Sequence, residues 1–114
     1  LKRLTIALLL LVVFAAPVAA KGNPHASCSI SPAEAFFGDT LIVTATGLPV
    51  DTPITLVVNV HATDTVTQLG TTSDGTLVVQ QEARPSGVWT FEFTKPIRSN
   101  GTYFVYASCF RVVQ

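Results

Sequence analysis

The chain is short of charge, of sulfur and of helical pattern, and each shortage excludes something. Only 12% of its 114 residues are charged, and no polybasic run occurs. A protein that holds nucleic acid or an anionic membrane surface works through clustered Lys and Arg, so neither partner fits. There are two cysteines and two histidines, with no CxxC spacing. That rules out a four-cysteine zinc site. The serines carry no GxSxG turn, and the aspartates form no DxDxDG calcium loop. Beyond residue 20, no stretch sustains the 3.6-residue period of an amphipathic helix. No metal and no cofactor is expected.

What is present begins with a leader. Residues 1–20 read LKRLTIALLLLVVFAAPVAA. Lys2 and Arg3 form a basic start, and residues 6–16 are an unbroken apolar run. That run suits a signal peptide and is short for a spanning helix. Pro17 breaks it, and Val18-Ala19-Ala20 supplies small residues before a cleavage site. The sequence therefore predicts a signal peptide over 1–20, a flexible segment over 21–26 and one domain over 27–114. The mature protein is expected outside the cell, in the periplasm or on the cell surface, with no membrane span once the leader is cut. A second reading makes Cys28 a lipidated cysteine, since Ala26-Ser27 precede it. His25 stands where such a signal wants an aliphatic residue.

Beyond the leader, five Lys/Arg face seven Asp/Glu, a formal charge of about −2. The 94 residues that remain suffice for one domain with a limited core. A covalent staple matters at that size. Export permits a disulfide, and Cys28 and Cys109 stand at opposite ends of the domain. They are predicted to be bonded, and to stabilise without taking part in chemistry.

The domain itself alternates. Cys28 and Ile30 share a face, as do Leu41, Val43 and Ala45. Ile54, Leu56, Val58 and Val60 follow, then a weaker strand over 66–71 and another over 77–82. Trp89, Phe91 and Phe93 form one apolar side opposite Thr90, Glu92 and Thr94. Trp89 is accordingly predicted to be core. Ser73-Asp74-Gly75 reads as a hairpin turn. The last strand, TYFVYASCFRVV over 102–113, is the longest β-branched and aromatic run of the domain. Period-2 alternation with turns every ten to fourteen residues predicts an all-β fold, an antiparallel β-sandwich of about seven strands.

Two families are resembled. The run Gly38-Asp39-Thr40-Leu41-Ile42-Val43-Thr44-Ala45-Thr46-Gly47-Leu48-Pro49, with Ile30-Ser31-Pro32 before it, is similar to the opening of bacterial extracellular immunoglobulin-like modules. Ser73-Asp74-Gly75-Thr76, Gly87-Val88-Trp89-Thr90 and Gly101-Thr102-Tyr103 extend the likeness over roughly 27–113. It implies an immunoglobulin-like β-sandwich acting in protein interaction, adhesion or as a structural appendage, without enzymatic activity. The cysteines depart from the antibody pattern, lying on the first and last strands. The domain also resembles the secreted enediyne-antibiotic apoproteins, which implies a hydrophobic small-molecule carrier, with Phe36 and Phe37 lining a cleft. Those proteins carry two disulfides, and this chain can form one.

Catalytic groupings are sparse. His25 lies in the N-terminal segment. His61 with Asp64 and a serine would need a nucleophile turn that is missing, so a solvated loop histidine is the reading. Asp39, Asp51, Asp64 and Asp74 all fall in turns, where their side chains bond local backbone. Glu82 and Glu92 have no evident cleft for glycoside chemistry. Asn100-Gly101-Thr102 matches a glycosylation sequon, and the favoured reading is a plain Asn-Gly turn joining the last two strands. No catalytic residue is assigned.

One surface is singled out. If Cys109 faces the core, period 2 sends Ala107, Val105 and Tyr103 inward and Phe104 and Tyr106 outward. With the seventh strand beside the sixth and the sixth beside the third, Phe104 and Tyr106 would join Thr90, Glu92, Val57 and Asn59. Exposed aromatics mark places where partners dock. This face is the candidate site for another protein or an envelope component. A covering loop, or a bulge near Ser108 that exchanges the two faces, is the alternative.

Overall fold

The computed structural model describes residues 26–96 and 103–114. The leader, its cleavage site, His25 and the Asn100 sequon lie outside the described residues. Seven strands follow one another: β1 (Ser27–Ser31), β2 (Thr40–Thr46), β3 (Ile54–Val60), β4 (Thr63–Leu69), β5 (Leu77–Glu82), β6 (Gly87–Thr94) and β7 (Val105–Val113). They form two sheets, ordered β1-β2-β5 and β4-β3-β6-β7, with every neighbouring pair antiparallel. The described chain is thus all-β, as the alternation and turn spacing predict. Among the described residues no helix is long and apolar enough to cross a membrane.

The core lies between the sheets and is built from the alternating positions. Leu41, Val43 and Ala45 of β2 face Ile54, Leu56 and Val58 of β3 and Trp89, Phe91 and Phe93 of β6, all buried. Burying each of the larger side chains stabilises by about 1.5–3 kcal/mol. Trp89 also satisfies its indole, which donates to the Pro85 carbonyl at 2.8 Å. Beside it, the outward-parity residues Thr55, Val57 and Thr94 are buried too. β3 and β6 are the inner strands of their sheet, and neighbours on both sides cover them. Thr94 Oγ1 donates to the Thr55 carbonyl at 2.8 Å, which accounts for one of those buried hydroxyls.

One long side of the sandwich is closed. Cys28 of β1 is bonded to Cys109 of β7, with their Cα atoms 5.8 Å apart. Arg111 reaches across the same seam, its Nη2 donating to the Ile30 carbonyl at 2.6 Å. Ala35 then bridges Val113 in parallel, and the N–H groups of Gln114 and Phe37 seal the contact. Among the described residues both cysteines are taken up in this pair.

Three sequence expectations need correction. Ser73-Asp74-Gly75 is a turn, with Asp74 Oδ1 accepting from the Thr76 N–H at 3.0 Å. It is not a hairpin, because it carries the chain from β4 in one sheet to β5 in the other. Gly75 has φ +81°, and a Cβ there would stand 2.7 Å from the Leu48 carbonyl oxygen. The weak strand expected at 66–71 starts earlier, at Thr63. His61 and Ala62, with φ of 54° and 60°, make a two-residue turn that has none of the usual Asn-Gly chemistry. The third correction concerns β7. Its register with β6 slips between Phe93 and Thr94, so that Ala107 opposes Phe93 and Val105 opposes Thr94. Tyr106 is the extra residue of a bulge.

Candidate functional site

The bulge decides which aromatics reach the outer face of the four-stranded sheet. Beyond it the alternation is inverted. Tyr106 packs half-buried against the margin of the core. Phe104 sits with it, the two rings edge to face at 5.3 Å, and the Lys95 ammonium lies 5.6 Å from the Phe104 centroid. Phe104 is 39% exposed but lies on Tyr106's side of the strand. Tyr103, expected inside, turns outward instead, and its hydroxyl donates to Glu92 Oε1 at 3.1 Å. The bulge lies two residues before the Ser108 position considered from sequence, and it exchanges the faces as such a bulge would.

The other four residues of the expected face do come together. Val57 opposes Glu92, and Asn59 opposes both Thr90 on β6 and Asp64 on β4. With Asp64 they line a shallow depression of about 200 Å³. Val57, only 5% exposed, is its apolar floor. Asn59 Nδ2 donates to Asp64 Oδ1 at 2.5 Å, which fixes one wall. Glu92 forms the other, holding Tyr103. Glu92 raises the pKa of the Tyr103 hydroxyl, first by accepting its hydrogen bond and then by its negative charge. The depression thus presents two carboxylates above an aliphatic base.

An apolar patch adjoins it. Phe110 lies opposite Thr90 and Val112 opposite Val88. Phe110 is 63% exposed, and Val88 and Val112 are each about half exposed. Phe110 was missed from sequence, although Cys109 facing the core already placed it outside. The three-stranded sheet presents a different outer face, with Ser27, Ser29, Thr44 and Thr46 around the exposed Ile42 and Val78. Phe36 and Phe37 are exposed on the segment that runs past the end of β7, with the Arg84 guanidinium 5.1 Å from the Phe37 centroid. They do not line the depression.

The side chains of the catalytic groupings weighed from sequence make local contacts. His61 Nε2 lies 2.7 Å from the Ser86 carbonyl, while Asp64 is engaged by Asn59. Glu82 pairs with Arg84 at 2.9 Å on the surface of the other sheet. Asp39 accepts from the Phe36 N–H at 2.8 Å, a turn contact. Among the described residues no three His, Cys, Asp or Glu side chains are grouped to hold a metal ion. No protein-family model matches the chain, and no curated protein or solved structure is significantly similar to it.

Proposed function

We propose that this chain is an exported, non-enzymatic, immunoglobulin-like module that binds a protein partner through the outer face of its four-stranded sheet. The carrying observation is Phe110, a large aromatic left open beside Val88 and Val112 on a sheet face next to an acidic depression. Aromatic side chains with an apolar surround and a polar rim are the usual anchors of protein interfaces. The rim here is negative, through Asp64 and Glu92, so the fitting partner brings apolar side chains with a Lys or Arg beside them. The disulfide supports an oxidising compartment, in keeping with the leader read from sequence. The strand order, with the first, second and fifth strands facing the third, fourth, sixth and seventh, is compatible with the immunoglobulin-like resemblance. A hydrophobic-ligand carrier needs an apolar cleft, and the depression is rimmed by Asn59, Asp64, Thr90 and Glu92.

Substitution separates this face from its neighbour. Phe110→Ser should leave the melting temperature within a few degrees of wild type, because a ring this open contributes little to folding. It should also abolish capture of the partner from envelope extract. Phe104→Ser should retain capture. Equal capture by wild type and Phe110→Ser would refute the assignment.

A further inference from the structure

The side of the sandwich away from the disulfide ends in β4 of one sheet and β5 of the other, and β4 is the longer and the more exposed of these two edges. Its residues are exposed from Thr63 to Gln68, including Thr65 and Thr67, which point toward the other sheet. Among the described residues, none buries it on either face. Edge strands are normally blunted by Lys, Pro, a bulge or brevity. β1 is short, and β7 is capped by the Ala35 bridge. β4 has seven residues, TDTVTQL, with no Lys, no Pro and an unbroken register to β3.

The backbone parity of that edge follows from the turn before it. A two-residue hairpin closes on a hydrogen-bonded pair, here Val60 and Thr63, and such pairs alternate along the ladder. Thr65, Thr67 and Leu69 therefore bond to β3. Asp64, Val66 and Gln68 turn their N–H and C=O groups to the open edge. Three consecutive outward positions centred on Val66 are a self-complementary set.

We propose that β4 pairs with β4 of a second copy of this chain, antiparallel about a two-fold axis at Val66. The two four-stranded sheets then become one continuous sheet. In this register Val66 opposes the partner's Val66, and Asp64 opposes the partner's Gln68. Every outward N–H and C=O of the three residues is paired. The side chains agree with the backbone. Gln68 Oε1 already accepts from Thr55 Oγ1 at 3.3 Å, which orients the Gln68 amide N–H groups for donation. The partner's Asp64 supplies the acceptor. No like charges face each other, and Val against Val is a favourable cross-strand pair. The contact is closed by its symmetry and does not propagate into fibres. Its area is that of one strand pair, so the dimer is a weak one, at the low end of interface sizes.

Sedimentation velocity on the purified protein, from micromolar to millimolar concentration, tests this. Wild type should pass from monomer to dimer, and exchange at the amides of Asp64, Val66 and Gln68 should slow as it does. Val66→Lys sets two ammonium groups together on the axis and should weaken association by more than about tenfold, with the melting temperature retained. Gln68→Lys faces the partner's Asp64 and should strengthen association at low salt. Phe110→Ser should dimerise as wild type does, which separates this edge from the binding face. Wild type monomeric throughout, or dimers retained in Val66→Lys, would overturn the proposal.

Discussion

Glu92 and Tyr103 meet on the open face because one residue too many is present in β7. Tyr103 belongs to the core side by simple alternation, and the bulge at Tyr106 brings it round to the carboxylate. The contact has a consequence that titration reads. An ionised Glu92 favours the neutral phenol, so the Tyr103 pKa lies above its ordinary value near 10. A raised folded-state pKa means that the stabilisation is present below the unfolded phenol's pKa. It is lost as pH climbs through the raised one. Glu92→Gln removes the charge and should lower the Tyr103 pKa toward the ordinary value. Ultraviolet titration in a Tyr106→Phe background, where Tyr103 is the one phenol left, should find that decrease. An unchanged pKa would show that the two groups do not meet. At this scale the sequence was readable in part. Trp89, Phe91 and Phe93 were legible as core from parity alone. Val57 was legible as a face residue, but its burial was not, because covering by two neighbouring strands is a property of the sheet order.

At the scale of elements, β1 and β7 hold the two sheets together along one side. Their bond links residues 81 apart in sequence. A loop of that length restricts the unfolded chain strongly, and the chain-entropy model assigns it about 4.5 kcal/mol. Reduction should therefore lower the denaturant midpoint while the far-ultraviolet strand signal persists below the transition. Stability unchanged on reduction would mean that the seam is held by Arg111, Ala35 and packing alone. β1, β2, β3 and β6 were legible because every second residue facing the core is apolar, a pattern that β4 lacks. The departures came from backbone features that composition does not announce. His61 and Ala62 adopt left-handed φ values that Asn or Gly would have advertised. The bulge falls on Tyr106, in a run where any residue reads as strand. That single inserted residue reversed Tyr103, Phe104 and Tyr106 together, since a slip of one in a two-residue period exchanges the faces.

For the whole molecule, the asymmetry of the sandwich matters most. One side is closed by the disulfide seam and the other ends in the edge strands β4 and β5. One outer face is dressed in Ser and Thr, and the other carries Phe110 beside carboxylates. Four of the six residues expected at the site, Val57, Asn59, Thr90 and Glu92, line the depression, and the exposed aromatic beside it is Phe110 in place of Phe104 and Tyr106. The most direct measurement is photocrosslinking in the producing cell. A benzophenone amino acid is placed at Phe110 in one sample and at Val78, on the Ser/Thr-rich face, in another. One discrete protein adduct is expected from position 110 and none from position 78. No adduct from position 110, or the same adduct from both positions, would contradict the proposed binding face.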